Sequence, residues 1–486
     1  MYLGLDIGTS GVKALLIDAK HKIVATTNAK LSVSRPQSGW SEQNPEDWWQ
    51  AVTKAILALK RQQPKALAAV EGIGLSGQQH GATLLDKHDK VLRPAILWND
   101  ARAFREGREI EERVPNSREI SGNIAMAGFT APKLVWVKKH EPRIFAKVAK
   151  VLLPKDYVRL RLTGEYATDM SDAGGTLWMD VAKREWSDIL IEATDLTRDH
   201  MPKLFEGTDA TGRLRDELAK TFGMPKKPVV AGGGGDNAAS ACGIGAVTDG
   251  ATSLSIGTSG VMFVSNDRFS PNTGRAIHAM CHAVPDTWHQ MGVILSAAGS
   301  LEWLAGFLRT PAPKLVGALG EKLTGPSPAI FQPYLSGERT PHNDAEVRGG
   351  LFGIGYETDA SIATHAVLDA VAFAFRDTYE ALKDAGTKVE RAMAVGGGSK
   401  SKLWLKIIAT ALGIEITLPA AGDFGGAFGA ARLGLIAATG ADYRDVLKPP
   451  KVIATVKPDP KLRAAYDDAY GRYTRGYKAL KEVMSS

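Results

Sequence analysis

The chain has only two cysteines in 486 residues, Cys242 and Cys281, and both fall in stretches that read as regular structure. That is no disulfide framework, and it predicts reduced, structural thiols and a cytoplasmic protein. No apolar run approaches ~18 residues, so a membrane span is not expected. The first residues read directly as a strand, without a charged leader or a cleavage site, so no secretory signal is expected. Net charge is +7 and the pI is near 9.1, with basic residues dense in the last stretch. No nucleic-acid recognition motif, aromatic–basic interleaving or appended helix-turn-helix accompanies that charge. The basic balance therefore suits a handler of phosphorylated anions better than a nucleic-acid partner.

What the chain has in quantity is glycine, 51 residues of it, on an ordinary globular background of 44% hydrophobic and 23% charged residues. The length predicts about two to four domains. One phrase occurs twice: LGLDIGTSGVKALLID at 3–18 and TSLSIGTSGVMFV at 252–264, sharing Ile-Gly-Thr-Ser-Gly-Val at 7–12 and 256–261. Each copy lies between apolar, β-branched runs and predicts a hairpin closed by a tight turn. A single copy is most simply an ordinary turn. Two identical copies predict two related domains across a cleft, 1–246 and 247–486. Consecutive N–H groups with Thr and Ser hydroxyls form a concavity suited to phosphate oxygens. The copies differ where Asp6 is replaced by Ser255, so a hard cation such as Mg²⁺ is expected on the first loop only.

Asn44-Pro45-Glu46-Asp47 is a helix start, with Trp48 and Trp49 expected in the core behind it. The strand VEGIGLSG runs into Gln78-Gln79-His80-Gly81, a polar strand end suited to holding sugar hydroxyls, although a satisfied loop histidine also fits His80. Trp98, Asp100 and Arg102 follow a further strand. VVAGGGG then ends at Asp236-Asn237, which opens a small-residue helix. Asp236 reads either as a helix cap or as a general base behind a mobile glycine run, ionised by the helix terminus. A dinucleotide loop at Gly233-x-Gly235-x-x-Ala238 fits only the loose form of that fingerprint and sits late in its domain. Later, Gly396-Gly397-Gly398 lies between a strand and a helix, where a flat ring could rest on the backbone. The small-residue helix in GDFGGAFGAARLGL is expected to pack beneath that ring site. Tyr466, Tyr470, Tyr473 and Tyr477 recur at helical spacing and read as a packing face.

The paired loops resemble those of the sugar-kinase, actin and Hsp70 ATPase superfamily. Gly128, Thr130, Lys133, Leu134, Trp136, Lys139 and His140 match the first signature of the FGGY family of carbohydrate kinases, mostly at positions that look like packing. Thr168-Asp169-x-Ser171 and PYLSGERTPHN resemble that family too; Ile362 departs from its second signature. The resemblance spans essentially the whole chain. It implies an α/β fold of two ribonuclease H-like domains with a central cleft, closing on substrate. It implies ATP and Mg²⁺, with Asp236 as base and second metal carboxylate beside Asp6, and Asn237 touching the acceptor. Thr9, Ser10 and Lys13 would hold phosphate on the first loop and Thr258 on the second, with Gly397, Gly398 and Lys402 at the adenosine. Gln79, His80 and Asp100 would meet the acceptor, and Gln79-His80 replaces the Arg-Glu pair of glycerol kinases. The acceptor implied is the ketopentose D-xylulose, phosphorylated at O5, with ribulose or a pentitol such as arabinitol as alternatives. A homodimer is allowed for. A sugar-independent, actin-like ATPase and a non-catalytic sugar sensor are rival readings; Asp236 with Asn237 argues against the first, and intact Asp6, Asp236 and both loops argue against the second.

Overall fold

The computed structural model describes residues 1–420 and 422–484. Its frame is two seven-stranded sheets, each built around one copy of the repeated phrase. In the first, β1 (Tyr2–Ile7) and β2 (Gly11–Ile17) form an antiparallel hairpin continued by β3 (Ile23–Lys30). Leu3, Leu5 and Ile7 are fully buried with Trp48, Val52 and Ile56 of α1 (Pro45–Gln62). Helix α1 starts as the sequence predicts: the Asn44 side chain accepts from the Glu46 amide, and Pro45 needs no hydrogen-bond partner at the first turn. Strand β4 (Gly72–Gly77) returns parallel to β1 and sets Ser76 beside Asp6. A long excursion carrying α2 (Thr130–His140) and α3 (Pro154–Thr163) precedes β5 (Ala210–Arg213) and β6 (Val229–Ala231). The order is β5–β6–β4–β1–β2–β3, and the short β7 (Gly234–Gly235) also pairs with β4. Helix α4 (Asp236–Ile244) leaves directly from β7.

The second sheet holds β8 (Thr252–Ile256), β9 (Gly260–Asn266), β10 (His278–Cys281) and β11 (Trp288–Ile294). After α5 (Ala298–Phe307) and α6 (Ala360–Asp384) come β12 (Arg391–Val395), α7 (Lys402–Leu412) and β13 (Glu415–Pro419). Helix α8 (Gly426–Thr439), β14 (Val452–Val456) and α9 (Arg463–Met484) complete it. The order is β10–β11–β9–β8–β12–β13–β14. From β3 to β5 and from β11 to β14 the pairings run antiparallel, antiparallel, parallel, parallel, antiparallel in both sheets. The hexapeptide repeat is therefore the visible trace of a repeated topology.

The two turns nevertheless close differently. Ile7 faces Val12 and the Gly8 amide donates to Gly11 O, whereas Ile256 faces Gly260 and the Gly257 amide donates to Ser259 O. In the second turn the carbonyls of Gly257 and Thr258 are taken by the amides of Ala297, Ala298 and Gly299 at the head of α5. Identical residues thus adopt different registers because their neighbours differ.

Helix α8 departs from the sequence-based expectation. It lies against the first sheet, not beneath the Gly396–Gly398 turn. A Cβ at Gly4 would stand 1.8 Å from Ala427 O, and one at Gly74 1.7 Å from Ala430 O. Glycines in β1 and β4 let the helix backbone touch the sheet, and Gly429 touches Ala239 O of α4 at 1.8 Å by the same measure. The spacing of small residues on α8 showed close packing but not its partner. Trp49, expected in the core, is only partly buried, whereas the cysteines and the tyrosine face agree with expectation. Cys242 and Cys281 are buried and free. Tyr466 and Tyr473 are fully buried, and the Tyr466 and Tyr470 hydroxyls bond to Asp369 and Asp377 on α6. Among the described residues no helix is long and apolar enough to cross a membrane.

Candidate active site

Asp6 sits at the end of β1 opposite Lys13 and beside Ser76, whose hydroxyl donates to Asp6 Oδ1 at 2.9 Å. Its carboxylate rests on the head of α8, where a Cβ at Gly426 would come within 3.1 Å of Asp6 Cγ. Burial holds the Asp6 pKa above the ordinary carboxylate value, with Ser76 and Lys13 opposing. Lys13 Nζ is paired with Asp423 Oδ2 at 2.5 Å. Thr9 is tied down: its hydroxyl donates to Gln78 Oε1 (2.8 Å) and accepts from Trp98 Nε1 (3.0 Å). Ser10 and Thr258 are exposed at the tips of their turns.

Asp236 opens α4, and the cap position itself belongs to Gly235. The carboxylate Oδ1 accepts from the Asn237 amide at 2.8 Å and from Asn237 Nδ2 at 3.1 Å. A helix terminus alone would favour ionisation. Instead the pKa is pushed up to about 7, first by burial and then by the negative charge of Asp6. Desolvation and a like charge outweigh the helix and its two donors, which corrects the expectation and leaves a carboxylate poised near neutrality. The glycine run before it is held by hydrogen bonds at both ends. Arg159 donates to Ala231 O at 2.5 Å and to Gly232 O at 2.6 Å, and the Gly235 amide donates to Ser171 Oγ at 3.1 Å.

Gln79 lies against that run, since a Cβ at Gly235 would fall 2.7 Å from its Nε2, which donates to Ser171 O. His80 has a positive φ of 67°. Lys133 Nζ (2.7 Å) and Thr130 Oγ1 (3.2 Å) donate to its carbonyl, so two residues of the family signature hold this strained backbone. Burial and Lys133 push the His80 pKa down to about 3. The neutral ring donates from Nδ1 to Gly175 O at 2.6 Å, and Nε2 is left as an acceptor. Asp100 differs from its expected place facing an acceptor. It is buried, accepts from the Ser41 amide at 2.6 Å and is bonded through both oxygens to Arg102. It braces a loop, and nothing in its sequence spacing distinguished the two roles.

Sequence reasoning missed two features here. Strand β10 of the second sheet reaches the first lobe: His278 Nδ1 meets Asn123 Oδ1 at 2.9 Å, and its ring lies 5.7 Å from Phe129, which packs on His80 at 4.5 Å. Arg339 is close enough for its charge to weigh on both His80 and His278. Among the described residues its guanidinium shows neither a hydrogen-bond nor an ion-pair partner, and the neighbouring Glu338 acts on it through charge alone. It lies within PYLSGERTPHN, where the stretch was legible but the side chain's direction was not.

A cavity of about 580 Å³ opens between α4 and the second sheet. Asn237, Ser255, Val261, Gly396, Lys400 and Asp423 are among its lining. Of the expected adenosine residues, Gly397 is open, with nothing within 4 Å of a Cβ built there. Gly398 is glycine for a different reason, because a Cβ would meet Ile256 Cγ2 at 2.3 Å. Gly397, Gly398 and Lys402 all lie outside this lining, and Lys402 is 77% exposed and 3.9 Å from Glu321; Gly396, Ser399 and Lys400 line the cavity instead. Nothing in the spacing of the two lysines told which of them lines the cavity.

Phosphoryl transfer asks a protein for anion-holding turns, an oriented carboxylate and little covalent work, and the cleft offers those parts. The fold and site define a two-lobed α/β phosphotransferase of the ribonuclease H-like kind. Comparison with known proteins narrows the class. Residues 1–243 match the N-terminal domain and 252–438 the C-terminal domain of the FGGY family of carbohydrate kinases. The chain belongs to that family, and it is a sugar kinase with ATP as its phosphoryl donor. A xylulose kinase of Escherichia coli (strain K12) is 47% identical over the full length of both chains. A crystal structure of a "xyloylose kinase" from Brucella ovis aligns with TM-score 0.97 and 55% identity, covering 99% of each chain. A xylulose kinase structure from Rhodospirillum rubrum aligns with TM-score 0.91 and 27% identity over all of both chains.

Proposed function

We propose that this kinase transfers the γ-phosphoryl group of ATP to D-xylulose, forming D-xylulose 5-phosphate in pentose catabolism. The similarity to xylulose kinases over the whole chain carries the choice of acceptor. Asp236 is the general base. As the acceptor oxygen bonds to phosphorus and the bond to the ADP oxygen breaks, the acceptor proton passes to its carboxylate. A pKa of about 7 suits that task near neutral pH. Residues 1–246 bind the sugar and supply the base, and residues 247–486 bind the nucleotide. His80 accepts a sugar hydroxyl at Nε2, with Gln79 and Asn237 beside it. Thr9 and Ser10 on one turn with Lys13 on β2, and Thr258 on the other turn, hold phosphate oxygens, and the adenosine rests near Gly397. Closure of the two lobes excludes water and limits ATP hydrolysis.

Among the described residues no group of three or more His, Cys, Asp or Glu side chains forms a ready metal cage. Two neighbouring carboxylates, Asp6 and Asp236, fit Mg²⁺, which is held by one or two carboxylates with phosphate oxygens and water. When bound, Mg²⁺ neutralises phosphate charge. Asp6→Asn is expected to raise the Mg²⁺ concentration needed for half-maximal rate. It should also move the acid limb of kcat/KM to lower pH, because it removes a charge that raises the Asp236 pKa. Titration of rate against Mg²⁺ and pH checks both, and an unchanged Mg²⁺ requirement counts against the metal role. His80→Ala is expected to raise the D-xylulose KM or lower kcat by roughly tenfold, the size of one lost hydrogen bond, with the ATP KM unmoved. Kinetics identical to the parent would return His80 to a loop role. A cytoplasmic location and a homodimer complete the proposal, and light scattering of the purified chain tests the latter.

A further inference from the structure

Beneath the glycine run lies a group of five buried ionisable side chains that the reaction itself does not use. Lys155 Nζ meets Asp156 at 2.7 Å, Asp169 at 2.8 Å and Asp172 at 3.0 Å, and Arg159 lies 3.6 Å from Asp156. All five side chains are 0% exposed. Three carboxylates face two cations, and burial holds the Asp172 pKa well above its ordinary value.

Two arms leave this cluster, and both end on the backbone leading to Asp236. Arg159 grips the carbonyls of Ala231 and Gly232, where the run begins. At the far end the Ser171 hydroxyl donates to Asp169 Oδ2, and the Ser171 and Asp172 amides donate to the same oxygen. Its proton so committed, Ser171 Oγ can only accept, and the Gly235 amide donates to it at 3.1 Å. Gly235 is the cap of α4, one residue before Asp236. The carbonyl of the same serine receives Gln79 Nε2 at 3.4 Å, so Ser171 joins the base to the strand end expected to hold the acceptor.

We propose that Ser171, oriented by Asp169 and Lys155, is a positioning residue that fixes where and in which direction the Asp236 carboxylate points. The four glycines give the run no side chains with which to define its own path. Pairing of Gly234 and Gly235 with β4 and the bonds of the Gly232 and Gly233 amides to Asp209 and Gly207 carry the backbone, the charged cluster grips it at both ends, and Ser171 is the side-chain hydrogen-bond contact at the residue before the base. This rests on Asp236 acting as the base.

The test is Ser171→Ala in the full-length enzyme, with Ser171→Thr, which keeps the hydroxyl, and Asp236→Asn measured beside it. Folding is checked by thermal melting, and kcat and KM for D-xylulose and ATP are followed against pH. A misplaced reacting group costs up to about 10²-fold. Ser171→Ala is accordingly expected to lower kcat by roughly 10- to 100-fold, leave the ATP KM near the parent value and shift the acid limb. Ser171→Thr is expected to restore most of the rate. Loss of turnover in Asp236→Asn together with parental kcat and pH profile in Ser171→Ala overturns the positioning role alone. A rate loss that Thr does not rescue, with the acid limb unmoved, also overturns it. Retained turnover in Asp236→Asn overturns the base reading, and the positioning role falls with it. Should Ser171→Ala not fold, Ser171→Thr carries the test alone: parental kcat and acid limb support the role, and a large loss in a folded protein contradicts it.

Discussion

Asp236→Ala is expected to lower kcat for sugar phosphorylation by at least roughly 10²–10⁴-fold, the usual contribution of a general base, while ATP binding stays nearly intact. Asp236→Asn should do the same and, above neutral pH, should melt higher than the parent. The sign follows from where the proton sits. The unfolded carboxyl titrates near its ordinary value of 3.8 and the folded one near 7. Between those values the native chain holds a proton that the unfolded chain has lost, so the carboxyl makes stability fall as pH rises. Above both values the folded state carries a buried, repelled charge, which Asn removes. Melting curves at acid and alkaline pH check this: the gain should shrink as pH drops from about 7 and be gone below about 4. Substantial residual turnover in Asp236→Ala would remove Asp236 as the base, and a melting point no higher at alkaline pH would remove the account of its raised pKa.

Gly74→Ala is expected to be the most damaging single methyl in the first lobe. The added carbon would stand 1.7 Å from the Ala430 carbonyl, a backbone atom of α8 with no side-chain freedom to yield. Overpacking costs typically 1–3 kcal/mol, and here the whole helix must lift, so a loss of at least about 3 kcal/mol is expected. That corresponds to a Tm lower by roughly 6–12 °C. Since α8 also rests on Asp6 through Gly426 and on α4 through Gly429, activity should fall together with stability. Gly397→Ala, in open space on the second lobe, serves as the comparison and should melt like the parent. A Gly74→Ala protein as stable as the parent would mean that the helix is not seated on β4 as described.

Local rules made much of this fold legible in the sequence. The cap at Asn44, the two hairpins, the tyrosine face of α9 and the structural cysteines all rest on short-range chemistry, and all are found as expected. The partner of α8 was not legible, because small residues announce close approach without saying to what. Nor was the state of Asp236, whose position at a helix start predicts a lowered pKa until the burial and the charge of Asp6 are known. Asp100 and Lys402 illustrate the same gap. A carboxylate after a strand and a lysine after a glycine turn look alike whether they face a ligand, a neighbouring arginine or water. His278 and Arg339 come from the other half of the chain, and only the fold brings them to His80.

Sugar-dependent phosphoryl transfer with D-xylulose as acceptor can be read directly from nucleotide turnover. The most direct measurement is ADP release from Mg·ATP with D-xylulose, L- and D-ribulose, D-arabinitol, xylitol, glycerol and no sugar, run side by side on the purified chain. Rapid release with D-xylulose and little with the others is the predicted result. Preference for another polyol would contradict the choice of acceptor. ADP release that ignores every sugar would contradict the account as a whole and return Asp236 to the head of a helix with no proton to take.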